Sequence, residues 1–587
     1  MDQQKNLIIA IVVSVAILFG FQFFLARKTP APPPETAAQT SAAGAPSAPA
    51  APTAPGAPGA APATTAATPA TRATVLAETP RVAIDTPRLK GSINLVGARI
   101  DDLTLVDYRK TPDPDSPQIV LLKPDGSSNP YFAEFGWVAG NPGVKVPGAD
   151  TRWTSSGGDL TPDHPVDLTW DNGAGLRFTR HYAVDANYMF TLTQSVANSS
   201  DAKIALYPYA FVARKGEVPV STTYLLHVGP IGVFNGALQD GYKYANMTPD
   251  GPIFQSTGGW MGITDKYWLT AIIPSQSEKI TADFRHVVQN HTDVYQVDYR
   301  GDQHDVAPGA SLSIGDHFFA GAKKVALLDH YESALDVPRF DRAIDFGWFY
   351  FLTKPIFLTL DFFYAHIGNF GLSIMLLTVL IKALFFPLAN KSYRAMSKMR
   401  QLQPEMTKLR ERYGDDKVKL NQEMMALYKR VGANPMAGCL PIVIQIPVFF
   451  SLYKVLYVTI EMRHAPFYGW IHDLSAPDPT SFANLFGLLH FTPPTILMIG
   501  AWPIIMGITM FLQQRLNPQP PDPMQAKMFM ALPFVFTYML AHFASGLVIY
   551  WAWNNLLSIA QQWTIMRRAG VTRARPPGKP PAKPVKT

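Results

Sequence analysis

The chain has 587 residues, 47% of them hydrophobic and only 16% charged, against roughly 25% charge in an ordinary soluble domain. Its net charge of +7 sums unlike parts, −7 over residues 81–340 and +13 over 341–587, and the apolar residues concentrate at the N-terminus and beyond residue 340. That distribution excludes a simple cytosolic enzyme, and the lone cysteine, Cys439, excludes an intramolecular disulfide, a cysteine-based zinc site and a CxxC redox pair.

Residues 7–25 (LIIAIVVSVAILFGFQFFL) carry no charge over 19 positions, enough to span roughly 30 Å of hydrocarbon. A cleaved signal peptide is the rival reading. The run exceeds the usual roughly 7–15 apolar residues, and Arg27 and Lys28 follow it in place of a small-residue cleavage site. An uncleaved transmembrane anchor over 1–28 is therefore expected. A linker over 29–80 follows. Its stretch 30–70 holds 17 Ala and 11 Pro in 41 positions, a composition that stays extended and buries no core.

Over 81–335 the pattern changes to short alternating runs rich in Tyr, Phe, Val and Thr, such as 176–184, 188–197, 204–214 and 294–300, separated by breakers at Asp171-Asn172-Gly173 and Asn198-Ser199-Ser200-Asp201. Period-two alternation with turn punctuation predicts an antiparallel, all-β sandwich. The GxSxG, HExxH, Walker A and strand-linked GxGxxG motifs are absent, and His164, His181, His227, His286 and His291 are scattered without ligand spacing. No catalytic chemistry is expected of this domain, which leaves binding or scaffolding.

Phe340, Ile344, Trp348 and Phe351 then recur at helical spacing beside charges, which predicts an amphipathic interfacial helix over 336–354. Beyond it, over 355–566, five apolar spans are expected at 356–388, 438–460, 494–513, 528–544 and 546–566, the last two joined by a turn at Ser545-Gly546. The loop 389–437 holds 11 basic residues, 461–493 only Arg463, and the tail 567–587 seven basic residues and no acid. The positive-inside bias therefore predicts cytoplasmic termini, a cytoplasmic 389–437 and an external β domain. Lys5, Arg27 and Lys28 flank the first span with the opposite local bias and are outvoted by the later charges.

Proline interrupts these spans at Pro441, Pro447, Pro503 and Pro533, and polar side chains lie within them: Thr378, Lys382, Gln445, Lys454, Asn554 and Asn555. Thr378 and Lys382 are four apart and share a helix face. A lysine deep in a span costs about 2.5–3.5 kcal/mol on insertion scales. Either Lys382 snorkels to the cytoplasmic surface, or it lines a water-filled cavity together with amides from other spans. Lys454, near its span's outer end, is expected to snorkel.

Within 389–437, Met396, Met399, Leu402, Met406 and Leu409 keep helical spacing, as do Leu420, Met424, Leu427 and Val431, with Met425 beside Met424. Gly414 stops the first run and Asp416 caps the second, which predicts a helical hairpin. Its methionine stripe either zips the hairpin or meets apolar partners. Its basic face suits anionic lipid or ribosomal RNA. No specific DNA binding is expected.

The segments MRQLQPEMTKLRERYGDD (399–416), QEMMALYKRVGANPMAGCLPIVIQIPVF (422–449), FYGWIHDLSAPDP (467–479), DPMQAKMFMALPFVFTYM (522–539) and FASGLVIYWAWNNLLSIAQQ (543–562) closely resemble the YidC family of membrane-protein insertases in its Gram-negative form. The resemblance implies a polytopic α-helical inner-membrane protein with six transmembrane helices, five of them an insertase core, and a periplasmic β-sandwich. It also implies a chaperone that passes nascent membrane proteins into the membrane through a hydrophilic groove, alone or with the Sec translocon, without a cofactor and without bond chemistry. The family's groove charge falls on Lys382, where better-known members carry arginine. Thr378 and Trp551 fall on substrate-contact positions, Trp551 in place of a tyrosine, and the basic tail and hairpin fall where the family meets ribosomes. Gln445 and Asn554 join this expected groove, and Met396, Met399, Met406, Met424 and Met425 the hairpin site. A small-solute transporter or channel is the alternative class, disfavoured because the five unequal spans show no inverted repeat.

Overall fold

The computed structural model describes residues 70–218, 226–289, 291–414, 416–432, 440–491, 493–516 and 523–568. The expected anchor, the linker up to residue 69 and the tail from 569 lie outside the described residues. The linker's last decade is ordered chain: a short helix α1 (Arg72–Ala77), capped by Thr71, pairs Arg72 with Asp102 and docks on the β domain.

Two antiparallel sheets form that domain. One runs edge to edge from Arg81–Asp85 through Leu89–Asn94, Ile100–Arg109, Tyr131–Ala139, Ile204–Lys215, Thr292–Gly301 and Lys279–Gln289 to Ile253–Thr257. The other runs from Ala237–Gln239 through Gly229–Phe234, Trp260–Thr264, Trp268–Ile273, Ser311–Ala322, Met189–Asn198, Leu176–Val184 and Val166–Asp171 to Thr154–Ser155. The expected strand at 176–184 has the observed bounds, and its inward residues, among them Leu176, Phe178, Tyr182 and Val184, are buried. Alternation exposes one face and buries the other, so the two inner faces close on a shared apolar core that includes Phe135, Trp137, Phe190 and Phe318. At the breakers, the Asp171 carboxylate accepts from Gly173 N at 2.8 Å and Asn172 Oδ1 from Ala174 N at 2.8 Å.

A helix α2 (Val325–Ala334) leads out of the β domain. The expected interfacial helix over 336–354 is not one helix. The chain makes a 3-10 turn at Phe340–Ala343, buries Phe340 and Ile344, and becomes helical only at Tyr350, in α3 (Tyr350–Ile367). The reason is packing: Phe340 stands edge-on to Trp260 at 5.3 Å, and Trp260 Nε1 donates to Pro338 O at 3.1 Å. The expected span 356–388 is also divided. Gly368 ends α3 in the left-handed region, and Asn369 caps α4 (Phe370–Leu384) by accepting from Leu372 N at 3.1 Å.

The remaining helices are α5 (Phe386–Tyr413), α6 (Lys417–Val431), α7 (Leu440–Val458), α8 (Ala501–Leu516), α9 (Pro523–Leu540) and α10 (Ser545–Arg568). Ser545 and Gly546 are the first turn of α10 and not a turn between spans. Their amides donate to Ala476 O and Leu474 O. Among the described residues no single helix is long and apolar enough to cross a membrane alone. Phe370–Leu384 and Phe386–Met396, bent by 68°, meet that requirement as a pair. The bend falls at Phe385, beside Pro387 in the first turn of α5, where the missing N–H and the ring disfavour continuation of α4.

Candidate functional site

The helix α10 is the hub of the helical half, packing against α4, α5, α7 and α8. Lys382, on the last turn of α4, extends its ammonium to α10 and donates to Ser558 Oγ at 2.7 Å. Ser558 in turn donates to Asn554 O, one turn back, at 2.7 Å. Among the described residues no carboxylate pairs with Lys382, so a neutral hydroxyl holds the cation. Around it Val379, Leu380, Leu384 and Phe386 are exposed, so the charge borders an open apolar strip.

About 12 Å along α10, Gln445 Nε2 of α7 donates to the hydroxyl of the buried Tyr550. Trp551 packs edge-on against Phe449 of α7 at 4.8 Å and faces Phe536 of α9 at 5.9 Å. The five expected groove residues therefore divide. Ser558 joins Lys382 to the backbone carbonyl of Asn554 only, and Gln445 and Trp551 both lie in the α7–α10 contact. Thr378 stands apart: it is buried, and its hydroxyl donates to Ile374 O of its own helix at 2.7 Å. Asn555 faces the other way and donates to Thr509 of α8 at 3.2 Å.

Two residues complete the site without having been singled out in the sequence. Ser558 supplies the lysine's acceptor. Trp553 ties α10 to α4 by donating from Nε1 to Met375 O at 3.1 Å. For Trp553 the signal was available, because an indole N–H in an apolar helix requires an acceptor. Ser558 is one more small residue in a helix, marked only by its position four after Asn554.

The hairpin forms as expected. Asp416 accepts from Val418 N and Lys419 N at 3.1 and 3.0 Å. Leu402, Met406 and Leu427 make its buried seam, with Met399, Leu409, Met424 and Tyr428 packed around them. The stripe thus zips the hairpin. Met396 and Met425 are not in the seam: Met396 Sδ accepts from Gln562 Nε2 of α10 at 3.7 Å, and Met425 is 55% exposed. A cleft on the hairpin mixes signs, with Glu405 and Glu411 beside Lys408, Arg412 and Arg430.

A polar junction joins the β domain to the helices. Lys454 of α7 does not snorkel; its Nζ lies 2.9 Å from Asp345 of the connector. Arg463 donates to Arg109 O at 2.6 Å, and Val325 N donates to Glu461 at 3.0 Å. Burial pushes Glu461 up to about 7 and Lys323 down to about 8. Asp329, Glu332 and Asp341 cluster closely enough to suit a cation. Lys354 supplies that cation, with Nζ 2.8 Å from both Asp329 and Asp341.

Residues 81–359 match the YidC periplasmic domain family, and 362–572 match the 60Kd inner membrane protein family. The chain is 52% identical to the membrane protein insertase YidC of Methylobacterium nodulans, over 97% of this chain and 96% of that one. It is also 52% identical to the YidC of Granulibacter bethesdensis, over 97% and 99%, and 48% identical to that of Rickettsia bellii, over 95% and 98%. The chain belongs to the YidC family of membrane protein insertases. It is accordingly a bacterial inner-membrane protein, its β-sandwich is the periplasmic domain, and its helical half is the family's membrane region.

Proposed function

We propose that this insertase passes nascent transmembrane segments from the cytoplasm into lipid along the face that α4, α7 and α10 share, with Lys382 as the attracting charge. The observation that carries this reading is a lysine held by a neutral hydroxyl beside an exposed apolar strip. An ammonium offers three donors, and Ser558 takes one. The remaining donors suit the acidic or polar flank of an incoming segment. Ser451 Oγ on α7 and Gln561 Nε2 on α10 are buried without a partner among the described residues, and buried polar atoms of this kind are met by water. A hydrated path lowers the desolvation barrier for the flank, and the apolar segment then leaves sideways into lipid, where its burial is favourable.

The reading includes six spans, counting the anchor at 7–25, with both termini cytoplasmic and 389–437 inside. The 11 basic residues of that loop support it. The basic tail and hairpin suit ribosomal RNA and anionic lipid, and cooperation with the Sec translocon follows the family resemblance. No bond is made or broken in this mechanism.

Site-specific photocrosslinking from Leu384, which is 73% exposed, and from Trp551 to ribosome-stalled nascent membrane proteins tests the reading. Adducts with the nascent chain are expected from both positions. Stalled chains that crosslink from neither, while insertion proceeds, overturn it. Thr378 is a poor probe because it is buried.

A further inference from the structure

The loop between α7 and α8 changes character at Asp478. Up to that residue it carries charges and is pinned: Ala476 O accepts from Ser545, and Asp478 accepts from Trp502 N at 2.9 Å and from Thr480. From 479 to 514 there is no Asp, Glu, Lys or Arg. The described residues that follow, 482–491 and 493–497, are nevertheless built. Ser481 Oγ donates to Leu497 O at 2.8 Å and Phe482 N to Ile499 O at 3.0 Å, which closes their base. Asn484 Oδ1 accepts from Gly487 N at 3.0 Å within them. Leu485 and Phe486 both adopt left-handed backbone, φ 53° and 60°, a conformation that bulky residues rarely take. The result is an outward apolar surface: Leu485, Leu488, Phe491 and Ile496 are 53%, 77%, 51% and 67% exposed.

We infer that residues 482–491 and 493–497 form a lipid-embedded wedge, seated in acyl chains at the headgroup boundary of the outer leaflet. Three features select lipid over a protein partner. The same chain continues into α8, which also exposes apolar side chains, Ile505, Ile508 and Leu512, in the family's membrane region. Protein-docking patches carry a polar, charged rim, which an uncharged stretch from 479 to 514 does not supply. The backbone N–H groups of Phe486, Leu488, Leu489 and Phe491 bond to carbonyls of Ser481, Leu485, Asn484 and Leu489, which lowers the cost of leaving water. The wedge lies at the end of the helical core where α4 and α8 begin, α7 ends and α10 starts. The assignment to the outer leaflet rests on the proposed orientation; the embedding itself does not.

The test uses the full chain with Cys439 replaced by serine, carrying one cysteine introduced by Leu488→Cys, labelled with an environment-sensitive fluorophore and reconstituted in phosphatidylcholine/phosphatidylglycerol vesicles. A label at Asp163→Cys, on an exposed turn of the β domain, is the aqueous reference. Lipids with a spin label on the acyl chain are expected to quench the Leu488 label several-fold more than the reference. Iodide, equilibrated on both sides by freeze–thaw, is expected to do the reverse. Iodide quenching equal to the reference overturns the inference. Shielding from both quenchers also overturns it, because the loop then packs on protein, a second copy included. Phe491→Cys repeats the measurement should Leu488→Cys fail to fold. Client insertion is assayed separately on the same vesicles, so an embedded wedge in an inactive protein counts against the proposed function and not against the wedge.

Discussion

Lys382 Nζ on α4 lies 2.7 Å from Ser558 Oγ on α10, and that hydroxyl already donates to Asn554 O. The charge is positioned but not neutralised by this contact. Near 4 Å an ion pair with a visiting carboxylate is worth about 1 kcal/mol in bulk water and about 4 kcal/mol at an effective dielectric of 20. Partial hydration lies between these limits, and each 1.36 kcal/mol is about tenfold in rate. Lys382→Arg is therefore expected to keep insertion, Lys382→Ala to lose about one to two powers of ten, and Lys382→Glu to lose more. The loss should be largest for clients with acidic translocated flanks. Insertion of matched acidic and neutral-flank clients into vesicles with equal amounts of each variant is the measurement. Equal insertion of both clients by Lys382→Ala and the parent would reduce the lysine to a snorkelling anchor.

Ser558→Ala separates position from charge. It leaves the ammonium in place and removes its acceptor, worth about 1.5–3 kcal/mol for a hydrogen bond to a charged group. A smaller loss than Lys382→Ala is expected, and a similar one for acidic and neutral flanks. A loss as flank-dependent as that of Lys382→Ala would mean that the hydroxyl itself meets the client.

The sequence made some of this legible and hid the rest for definite reasons. The strand Leu176–Val184 reads directly because each second residue enters one core, and the Asp416 cap reads directly because capping is local. The break between α3 and α4 is hidden in sequence because apolar residues continue on both sides of Gly368-Asn369, although that pair is a helix stop followed by a helix cap. In sequence Lys454 has the pattern of a snorkelling residue, because its partner, Asp345, lies in a distant connector. Ser558 and the inward turn of Thr378 depend on which face of a helix meets which neighbour, and in spans that are apolar all round periodicity does not report it.

The Lys454–Asp345 pair fixes the junction between the periplasmic domain and α7. Both side chains are mostly buried, so losing one leaves the other short of an ionic contact, although Asp345 keeps the amides of His227 and Gly347. Lys454→Met and Asp345→Asn are each expected to weaken the junction by about 1–3 kcal/mol, with the double variant less damaging than the sum. Limited proteolysis in detergent micelles reads this as faster cleavage between the β domain and α3. Unchanged cleavage in all three variants would show that Arg463, Glu461 and apolar packing hold the junction alone.

The proposed orientation has a direct test. Protease added outside spheroplasts is expected to cut the 30–70 linker and to spare Arg410 and Arg412 in the hairpin, both of which become sensitive after lysis. Cleavage at those arginines in intact spheroplasts, with the linker protected, would invert the topology.

The β domain carries its own titration signature. Asp316 is fully buried in the sandwich, accepts from Tyr299 OH at 2.8 Å, and has Gln194 as a neighbour. Burial pushes it up to about 7, and Asp298, buried beside Arg285 and Gln296, up to about 6. An unfolded aspartate ionises near 3.9. The folded domain therefore holds a proton that the unfolded chain releases between about pH 4 and 7, so this stabilisation is full below pH 4 and lost as pH rises through 7. The shift corresponds to about 4 kcal/mol at most. A soluble fragment of residues 70–345, expected to fold alone as a β-rich domain, should melt higher at pH 5 than at pH 8. Asp316→Asn removes the largest part of that slope and leaves the part due to Asp298, so the variant should gain on the parent as pH rises. Thermal melts of the two proteins across pH 4–8 decide it. Parallel curves would mean that Asp316 is ionised in the folded domain and that water or Gln194 solvates its charge.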